Sequence, residues 1–508
     1  MNGYLKKAGF ASLAGAGLVC LGCAVGPKYQ PPVLAPTQSP VAYKEFAGND
    51  QWKMATPSDT LIKGRWWEIF GDPQLNKLEE MVEISNQNVK QAEASFRQAR
   101  ALVAAAHANY YPTIGSSPSI TQSDTGSGGR GGVGVFAAGG TSQTFSFPFS
   151  ASWEPDFWGR VRLQVQNAVD NAQASAATLE NARLSAQALL ATDYFLIAGA
   201  DMQEAVLQDT IEAYRRNLTL TENRFRGGVA SQSDVTLAQT QLYGAQAQST
   251  ELRIARAQDE HAIAVLTGQA PSMVEIPTLK VNPPPPIPTA VPSALLERRP
   301  DIAMNERQVA AANANIGIAE VAYYPTLTLS ANAGFLSTSL QTLFTWAART
   351  WSAGPSISET LFDFGRRGAQ VESARAGYDS TVAAYRQTVL TAFQEVEDDL
   401  ASLRYIAEES EQQAAAVAAA RKSLDLELDR YKAGTDSYLS VITTQTIYLG
   451  DEQTAVALLQ RRLTAAVDLV KALGGGWDAS TLPGGDAIRS HALASAVTTT
   501  IVAQPASR

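Results

Sequence analysis

Histidine, cysteine and serine are the side chains with which this sequence could do chemistry, and their spacing suits neither catalysis nor metal binding. The 508 residues include three histidines, His107, His261 and His491, and none is near another in the sequence. No Ser-His-Asp grouping is indicated, and no His-Cys spacing typical of zinc ligands occurs. The glycine-rich run 128–140 does not open a helix as a phosphate-binding loop does. We therefore predict no catalytic residue, no metal and no cofactor, in a protein that is not an enzyme.

An acidic run within a helical pattern comprises Glu395, Glu397, Asp398 and Asp399. This run is either a solvated or lumen-facing helix surface, or the negative wall of a duct that favours cationic solutes. The formal net charge of −9 disfavours nucleic acid as a partner, because phosphate binding requires basic patches.

The two cysteines lie close together near the N-terminus. Lys6 and Lys7 precede a run of apolar and small residues, which is typical of a signal peptide. Leu21-Gly22-Cys23 is similar to a bacterial lipobox, so that Cys23 would become the first mature residue and carry a thioether-linked diacylglycerol. The alternatives are modification of Cys20 or ordinary cleavage that leaves a free thiol. No window of 18 apolar residues follows Cys23, so we predict no membrane-spanning helix after it.

The chain reads as two copies of one motif. Residues 224–231 (RFRGGVAS) correspond to residues 430–437 (RYKAGTDS), 206 residues later. The same offset links other pairs without a gap: Gly159 with Gly365, Val235 with Val441, Gln239 with Gln445, and Gly268 with Gly474. This period is far too long for a solenoid repeat, so we predict a duplicated half that turns round at each of these two tips.

Long helices are predicted on both sides of each tip. Residues 159–224 contain no proline, and Val165, Ala172, Leu179 and Ala186 recur at seven-residue spacing, which indicates coiled-coil packing. The second copy shows the same spacing at Val382, Val389, Val396 and Leu403. Residues 233–266 and 438–473 are predicted to return as partner helices. A further helix is expected from Pro73 to about Asn109, with a related helix ending before Tyr323.

Four segments have the alternation of β-strands. Apolar residues alternate with small polar ones in 145–153, 327–335 and 351–358, and more weakly in 113–122. Such alternation is typical of membrane barrel strands, although a sandwich with one wet face remains an alternative. Because four strands cannot close a barrel, strands that span a membrane would require oligomerisation.

Several motifs carry a resemblance to a known family. Residues 23–29 (CAVGPKY), 65–75 (RWWEIFGDPQL) and 295–302 (LLERRPDI) resemble segments of the TolC-like outer-membrane efflux factors, in their NodT-type lipoprotein branch. The resemblance implies a mainly α fold with a membrane β-barrel portion, built from duplicated strand pairs and long helical hairpins. It also implies a homotrimer that forms a 12-stranded barrel joined to a periplasmic α-helical barrel.

The same resemblance implies function and partners. It implies the exit duct of a tripartite efflux system that exports small molecules such as drugs or toxic compounds. The partners would be a periplasmic adaptor, an inner-membrane pump of the proton-driven RND type, and outer-membrane lipid. The location would be the outer membrane of a Gram-negative bacterium, with a lipid anchor and extension into the periplasm. Alternatives are the duct of a type I protein secretion system, or a periplasmic coiled-coil adaptor or scaffold lipoprotein.

The predicted organisation has six parts. They are a signal peptide (1–22), a lipid anchor and extended tether (23–60), a first repeat (61–275), a proline-rich linker (276–290), a second repeat (291–477) and a flexible C-terminal tail (478–508).

Site residues are expected at the tips and where strands meet helices. The family implies an adaptor-contacting tip, which here comprises Arg224, Gly227, Gly228, Ala433 and Gly434. Related sequences often have an aspartate near the position of Thr443, so we predict instead a hydroxyl and amide gate formed by Tyr438, Thr443 and Gln445, with Arg430 as a tether. Ordinary tip packing is the alternative for these four. Trp153, Trp158, Tyr111 and Tyr324 are expected either in an interfacial aromatic belt or in packing at the strand-to-helix bend.

Overall fold

Two long helical hairpins and one antiparallel sheet account for most of the structure. The computed structural model describes residues 25–33, 43–44, 64–124, 141–285, 287 and 298–490. Cys20, Cys23 and the signal segment lie outside the described residues, as does most of the glycine-rich loop. In the part that is described, no helix combines the length and the hydrophobicity needed to cross a lipid bilayer.

The two repeats share the order helix, strand, strand, long helix and return helix, and the first has an additional helix at its start and a split first strand. The first contains α1 (Pro73–Ser85), α2 (Gln87–Ala108), β1 (Thr113–Ser116), β2 (Ser119–Asp124), β3 (Thr141–Trp153), α3 (Arg160–Arg226) and α4 (Gln232–Leu266). The second contains α5 (Pro300–Val321), β4 (Thr326–Ser337), β5 (Arg349–Ser358), α6 (Arg366–Lys432) and α7 (Tyr438–Ala472). Short 3-10 turns lie at Trp66–Phe70, Pro271–Met273, Leu340–Thr342, Trp346–Ala348 and Ala479–Thr481.

The hairpins match in length. Both α3 and α6 have 67 residues, and both α4 and α7 have 35. At about 1.5 Å per residue, each longer helix extends roughly 100 Å. The seven-residue positions predicted for α3 are all buried, from Val165 to Ala186. The predicted coiled-coil packing of α3 is therefore confirmed.

The first helical segment differs from the prediction. One helix was expected from Pro73 to about Asn109, but Asn86 adopts an extended conformation and separates α1 from α2. Its side-chain oxygen accepts hydrogen bonds from the N–H groups of Asn88 and Val89, at 2.9 and 3.1 Å. Its amide group also donates to the carbonyl of Leu266 at 2.8 Å. An asparagine is a good N-cap, and this one also binds the end of α4, which explains the break.

The sheet has four strand positions. β3 pairs with β4 and β4 pairs with β5, all antiparallel, while β1 and β2 pair with successive parts of the other side of β3. The predicted strand 113–122 is thus split, at Ser117 and Pro118. Residues 147 and 148 of β3 lie opposite this gap, and Pro118 and Pro148 both lack the N–H that a ladder requires.

The main hydrophobic core lies midway along the helices. Trp66, Leu75, Tyr194 and Val389 are fully buried in one cluster that joins α1, α3 and α6. The hydroxyl of Tyr194 donates to Asp72 Oδ2 at 2.6 Å, and Asp72 in turn caps α1. The core therefore fixes the helical hairpins to each other at half their height.

The described parts of the N-terminal segment, residues 25–33 and 43–44, pack on the helices. Asn313 of α5 donates to the carbonyl of Pro27 at 3.0 Å, and the hydroxyl of Tyr29 bonds to Glu306. Further along, the N–H of Lys44 donates to Glu397 of α6 at 2.7 Å. We call residues 25–33 and 43–44 the N-terminal strap.

The prediction of a flexible tail from residue 478 is wrong for residues 478–490. Residues 485–490 are helical, and Ile488 is buried in a cluster with Val165 and Val169 of α3. Arg489 donates to Gln166 Oε1 at 3.0 Å. Ile488 is a single large apolar residue among small ones, and this was too weak a sequence signal to predict that residues 485–490 pack on α3. The remaining predicted tail, residues 491–508, lies outside the described residues.

A glycine with positive φ follows the end of each return helix. Gly268 has φ of +71°, and a Cβ there would lie 2.4 Å from the carbonyl oxygen of Ser85. Gly474 has φ of +92°, and its Cβ would lie 2.0 Å from the carbonyl oxygen of Arg298. Each copy of the repeat thus needs glycine twice over, for the left-handed backbone and for a close approach to another chain segment.

We expect Gly474→Ala to destabilise the fold by about 2 kcal/mol or more, because it adds left-handed strain to a backbone clash. Gly268→Ala should act in the same direction. Gly450→Ala is the matched control, since nothing lies within 4 Å of its Cβ position on α7; it should be neutral or stabilise by up to ~1 kcal/mol. Chemical denaturation in detergent, followed by circular dichroism, measures all three. Equal midpoints for Gly474→Ala and wild type would contradict the expectation.

Candidate functional site at the ends of the helical hairpins

The two hairpins end in the same turn. α3 ends at Arg226 and α4 begins at Gln232, and Gly228 between them has φ of +77°. The N–H of Val229 donates to the carbonyl of Arg224 at 2.8 Å, as the N–H of Thr435 donates to that of Arg430 at 3.0 Å. Left-handed C-terminal glycines close helices in this way. The repeated tip motif is therefore a repeated turn, with Gly434 at φ of +80° in the second copy.

The caps of the return helices differ between the copies. Ser231 and Asp234 form a complete capping box at the start of α4. At the start of α7, Ser437 accepts from the N–H of Ser440 at 3.4 Å, and no acid occupies the third position. Asp436 instead accepts from the Ser440 hydroxyl at 2.8 Å. This bond is the main cause that lowers the pKa of Asp436 below its usual value.

Arg224 joins the two tips. Its guanidinium group donates to the carbonyl oxygen of Tyr431 at 2.6 Å and lies 4.3 Å from the centre of the Tyr431 ring. The Tyr431 hydroxyl lies 3.4 Å from Thr221 Oγ1, and its ring packs 5.4 Å from that of Tyr438. A charge-assisted hydrogen bond and a cation–π contact thus hold the second turn against α3.

Two of the four predicted gate residues lie inside this contact. Tyr438 is 3% exposed and packs with Val441 and Ile442, and Gln445 is 5% exposed. Gln445 Oε1 accepts from the side-chain amide of Asn217 at 3.1 Å. Both side chains therefore pack between the two hairpins of one chain. The prediction that they line an opening is wrong for this conformation. The family resemblance placed the gate at this turn but did not show which helix each side chain faces.

The other two gate candidates are accessible. Thr443 is exposed, and its hydroxyl donates to the carbonyl of Leu439 at 2.9 Å. Arg430 is also exposed and forms ion pairs with Glu427 at 3.0 Å and Asp436 at 3.1 Å. Arg430 thus fixes its own turn, whereas its counterpart Arg224 reaches across to the other one.

The predicted partner-contact residues lie at the extreme end. Gly227, Gly228, Ala433 and Gly434 are exposed, while Arg224 is half-buried against Tyr431. Sequence reasoning missed three apolar side chains beside them. Phe225, Val229 and Leu439 are exposed by 42, 70 and 60%. The sequence signal that could have identified them was the presence of apolar residues in or next to a turn between helices. Clustered apolar groups that are exposed indicate an interaction surface.

The aromatic residues lie at the junction of strands and helices. The indole N–H of Trp153 donates to the Tyr110 carbonyl at 3.0 Å, and that of Trp158 donates to the Pro325 carbonyl at 2.8 Å. Trp158 also stacks on Tyr324 with ring centres 4.9 Å apart. Tyr111 and Tyr324 are exposed by 62 and 41%. The structure thus shows packing at the bend, and the interfacial belt stays a prediction.

The acidic run on α6 is largely engaged. Glu395 forms a 2.6 Å ion pair with Arg299, and Glu397 accepts from the strap. Burial, followed by the charge of Asp468, raises the pKa of Asp399 to about 7. Asp399 is therefore partly protonated near neutral pH, and the run carries less negative charge than four carboxylates would. Among the described residues, no group of three His, Cys, Asp or Glu side chains is arranged to hold a metal ion.

Comparison with known proteins places the chain in a family. A family model described as outer membrane efflux protein matches residues 79–269 and 291–475. The chain belongs to the outer membrane efflux protein family. Each matched segment contains one hairpin of this efflux protein, with its turn.

Individual relatives agree with this assignment. The chain is 30% identical over 473 residues to the probable efflux pump outer membrane protein TtgC of Pseudomonas putida, which covers 92% of this chain and 95% of that one. It is 31% identical over 485 residues to the solvent efflux pump outer membrane protein SrpC of Pseudomonas putida, covering 93% and 99%. The solved outer-membrane channel OprN has a TM-score of 0.80 at 29% identity, covering 90% of this chain and 100% of that one. The predicted fold class and family resemblance are thus confirmed.

We expect Arg224→Ala to loosen the second turn of this efflux protein. Loss of a charge-assisted hydrogen bond of about 1.5 kcal/mol should make the backbone amides of residues 431–442 exchange with deuterium roughly tenfold faster. Hydrogen–deuterium exchange with mass spectrometry measures this. Arg226→Ala is the control, because Arg226 is exposed and bonds only locally, to Asn223 Oδ1 at 2.7 Å. Equal exchange in both variants would show that the cross-tip contact does not hold the turn.

Proposed function

We propose that this protein is the passive exit duct of a tripartite efflux system, in the outer membrane of a Gram-negative bacterium. The observation that carries the proposal is the direct junction of an antiparallel sheet with helices roughly 100 Å long. β3 ends at Trp153 and α3 begins at Arg160, while β5 ends at Ser358 and α6 begins at Arg366. A sheet in the membrane would thereby continue into helices that reach far into the periplasm.

The sheet supports the proposal of a homotrimer. In the described part of the chain, β5 has a neighbour only in β4, and the β1 and β2 segments have one only in β3. Unpaired backbone groups at such edges are costly in lipid, so edges of neighbouring copies would pair. Three copies of four strand positions would form the predicted 12-stranded barrel.

The helices support the same assembly. α3 has 26 buried residues, whereas α6, of equal length, has 12. Exposed apolar side chains on α6 and α7 include Leu390, Tyr405, Leu426 and Ile447. Because the paired helices are equal in length but unequal in burial, the second hairpin has an open face that a neighbouring copy would cover.

The partners would meet the hairpin ends. A periplasmic adaptor would contact the exposed turns, Gly227 and Gly228 in the first and Ala433 and Gly434 in the second, with Phe225, Val229 and Leu439 as apolar contacts. An inner-membrane pump, of the proton-driven RND type, would supply the energy. The substrates would be small molecules such as drugs or toxic compounds, as relatives named for solvent efflux suggest. Thr443 and Arg430 remain the gate candidates, because both are accessible at this end.

Purified protein in planar bilayers tests the duct directly, with its native mass measured beside it. We expect discrete channels and the mass of three chains. Thr443→Ala should increase resting conductance, because it removes a hydroxyl from the proposed constriction. Thr454→Ala is the matched control: it is also an exposed threonine of α7 bonded to the carbonyl four residues back, and it lies farther from the turn.

A monomeric mass without discrete channels would contradict the duct. Discrete trimeric channels with equal conductance in both threonine variants and wild type would leave the duct standing but place the gate elsewhere.

The strap supports a lipid anchor at Cys23. The N–H of Val25 approaches the carbonyl of Trp158 at 3.4 Å, beside the junction of sheet and helices. Two extended residues reach about 7 Å, so Cys23 would lie next to this junction. Acyl chains on its sulfur would then enter the same membrane leaflet as the strand ends.

Cys23→Ala should lose the mass of the diacylglycerol and the acyl chain and should partition less strongly into membranes. Intact-mass spectrometry and membrane fractionation measure both effects. Cys20→Ala is the control, since the lipobox alignment places Cys20 in the removed segment. If Cys23→Ala keeps the wild-type mass shift, the anchor lies elsewhere or does not exist.

A further inference from the structure

A cavity of about 810 Å³ lies beside the middle of the hairpins, away from both the sheet and the tips. Its walls come from Gly64 and Arg65, from α1 and α2, from residues 176–187 of α3, and from the segment 474–483 after α7. This volume is within the roughly 300–1,000 Å³ typical of ligand sites. None of the residues assigned to the gate, the partner contact or the anchor lines it.

Three hydrogen-bond donors in the cavity wall lack an acceptor. The indole nitrogens of Trp67 and Trp477 and Nε of Arg183 are buried and have no hydrogen-bond partner among the residues that the structure describes. Trp67 as a whole is only 2% exposed. A buried indole N–H usually finds a partner, so three unmatched donors around one cavity indicate a ligand with acceptor oxygens.

Other tryptophans of the same chain provide an internal comparison. Trp66, next to Trp67, donates its indole N–H to Gln187 Oε1 at 3.3 Å. Trp153 and Trp158 donate theirs to backbone carbonyls at 3.0 and 2.8 Å. Among the tryptophans that the structure describes, the two with a buried indole N–H and no acceptor, Trp67 and Trp477, both line the cavity, whereas these three do not. A buried indole N–H without a partner is therefore found in this cavity and is not general among the described tryptophans.

The charges around the cavity disfavour an anion. Three carboxylates line it, Glu83, Glu180 and Asp478, against two guanidinium groups. Both guanidinium groups are already paired, Arg65 with Glu80 at 2.8 Å and Arg183 with Glu180 at 2.9 Å. Burial raises the pKa of Glu180, Arg183 opposes this, and the charge of Glu83 adds to it. Glu83 and Glu180 both line the cavity. A neutral ligand can donate hydroxyl protons to them.

Apolar side chains line another part of the wall, Phe96, Leu179, Leu184 and Leu482, and Gln187, Ser480 and Thr481 add neutral polar groups. The occupant thus needs acceptor oxygens for three N–H donors, hydroxyl groups for carboxylates, no negative charge, and apolar faces. Sugar rings combine these properties. Acetamido groups fit best, because their carbonyl oxygen accepts a hydrogen bond from an N–H donor without having to donate one in return.

We propose that this cavity binds a short neutral oligosaccharide, with N-acetylated sugars preferred. The ring faces would pack on Phe96 and the leucines, the acetamido carbonyls would accept from Trp67, Trp477 and Arg183, and hydroxyl groups would donate to Glu83 and Glu180. The site lies in the helical part of the chain and needs no movement of the hairpin ends.

Isothermal titration calorimetry of full-length protein with triacetylchitotriose tests the proposal. The detergent must be an amine oxide, because a maltoside head group would itself be a sugar. We expect saturable binding, weaker binding of maltotriose, and a change in tryptophan fluorescence. Trp477→Phe keeps a ring but removes one N–H, so affinity should fall about fivefold, as loss of one hydrogen bond of ~1 kcal/mol implies.

Two further variants make the result decisive. Trp346→Phe is the control, because Trp346 is 80% exposed on the loop between β4 and β5; it should bind like wild type. Glu83→Gln changes an exposed carboxylate of the cavity wall, so it should weaken binding without affecting folding. This variant keeps the proposal testable if Trp477→Phe does not fold. No saturable binding by wild type would overturn the proposal. So would binding that neither Glu83→Gln nor folded Trp477→Phe weakens, since the sugar would then lie elsewhere.

Discussion

The structure depends on how α3 is packed. A helix of 67 residues cannot be stable alone in water, because most helix stability in proteins comes from packing. α3 meets this requirement along its whole length. Val165 packs near the strand junction, Tyr194 in the main core, and Tyr214 near the tip. The N-terminal elements, the docked segment 478–490 and α7 all pack against it. The rest of the chain is arranged around this helix.

Polar contacts then fix the ends of elements that apolar packing leaves undefined. Arg299 is 8% exposed and binds Asp301 and Glu395 at 2.7 and 2.6 Å, and it donates to the carbonyl of Ala472 at 3.0 Å. One guanidinium group thereby joins the start of α5, the middle of α6 and the end of α7. Arg256, within α4 of the first repeat, makes comparable contacts with Asp201 at 2.6 Å and with the carbonyl of Ile276 at 2.7 Å. The two repeats thus contain comparable arginine-centred contacts.

Much of the fold could be predicted from sequence because the duplication made each weak signal appear twice. The tips, the long helices and the strand alternation were predicted in this way. What failed depended on contacts distant in sequence. Asn86 breaks a helix because it binds the end of α4, and Ile488 orders a segment because Val165 and Val169 receive it. Tyr438 and Gln445 looked like gate residues, but the neighbouring hairpin covers them. The cavity beside Trp477 had no sequence signal, since its walls come from four separate segments.

The equal lengths of the paired helices limit how this architecture can change. Both hairpins must end at one level for Arg224 to reach Tyr431, and both must begin at one sheet. A deletion in α3 alone would shift the first turn along the axis and rotate every following side chain by about 100° per residue. A change in length between the turns and the main core therefore requires equal changes in all four helices, in steps of seven residues. The length of the helical part can therefore change only in increments of seven residues.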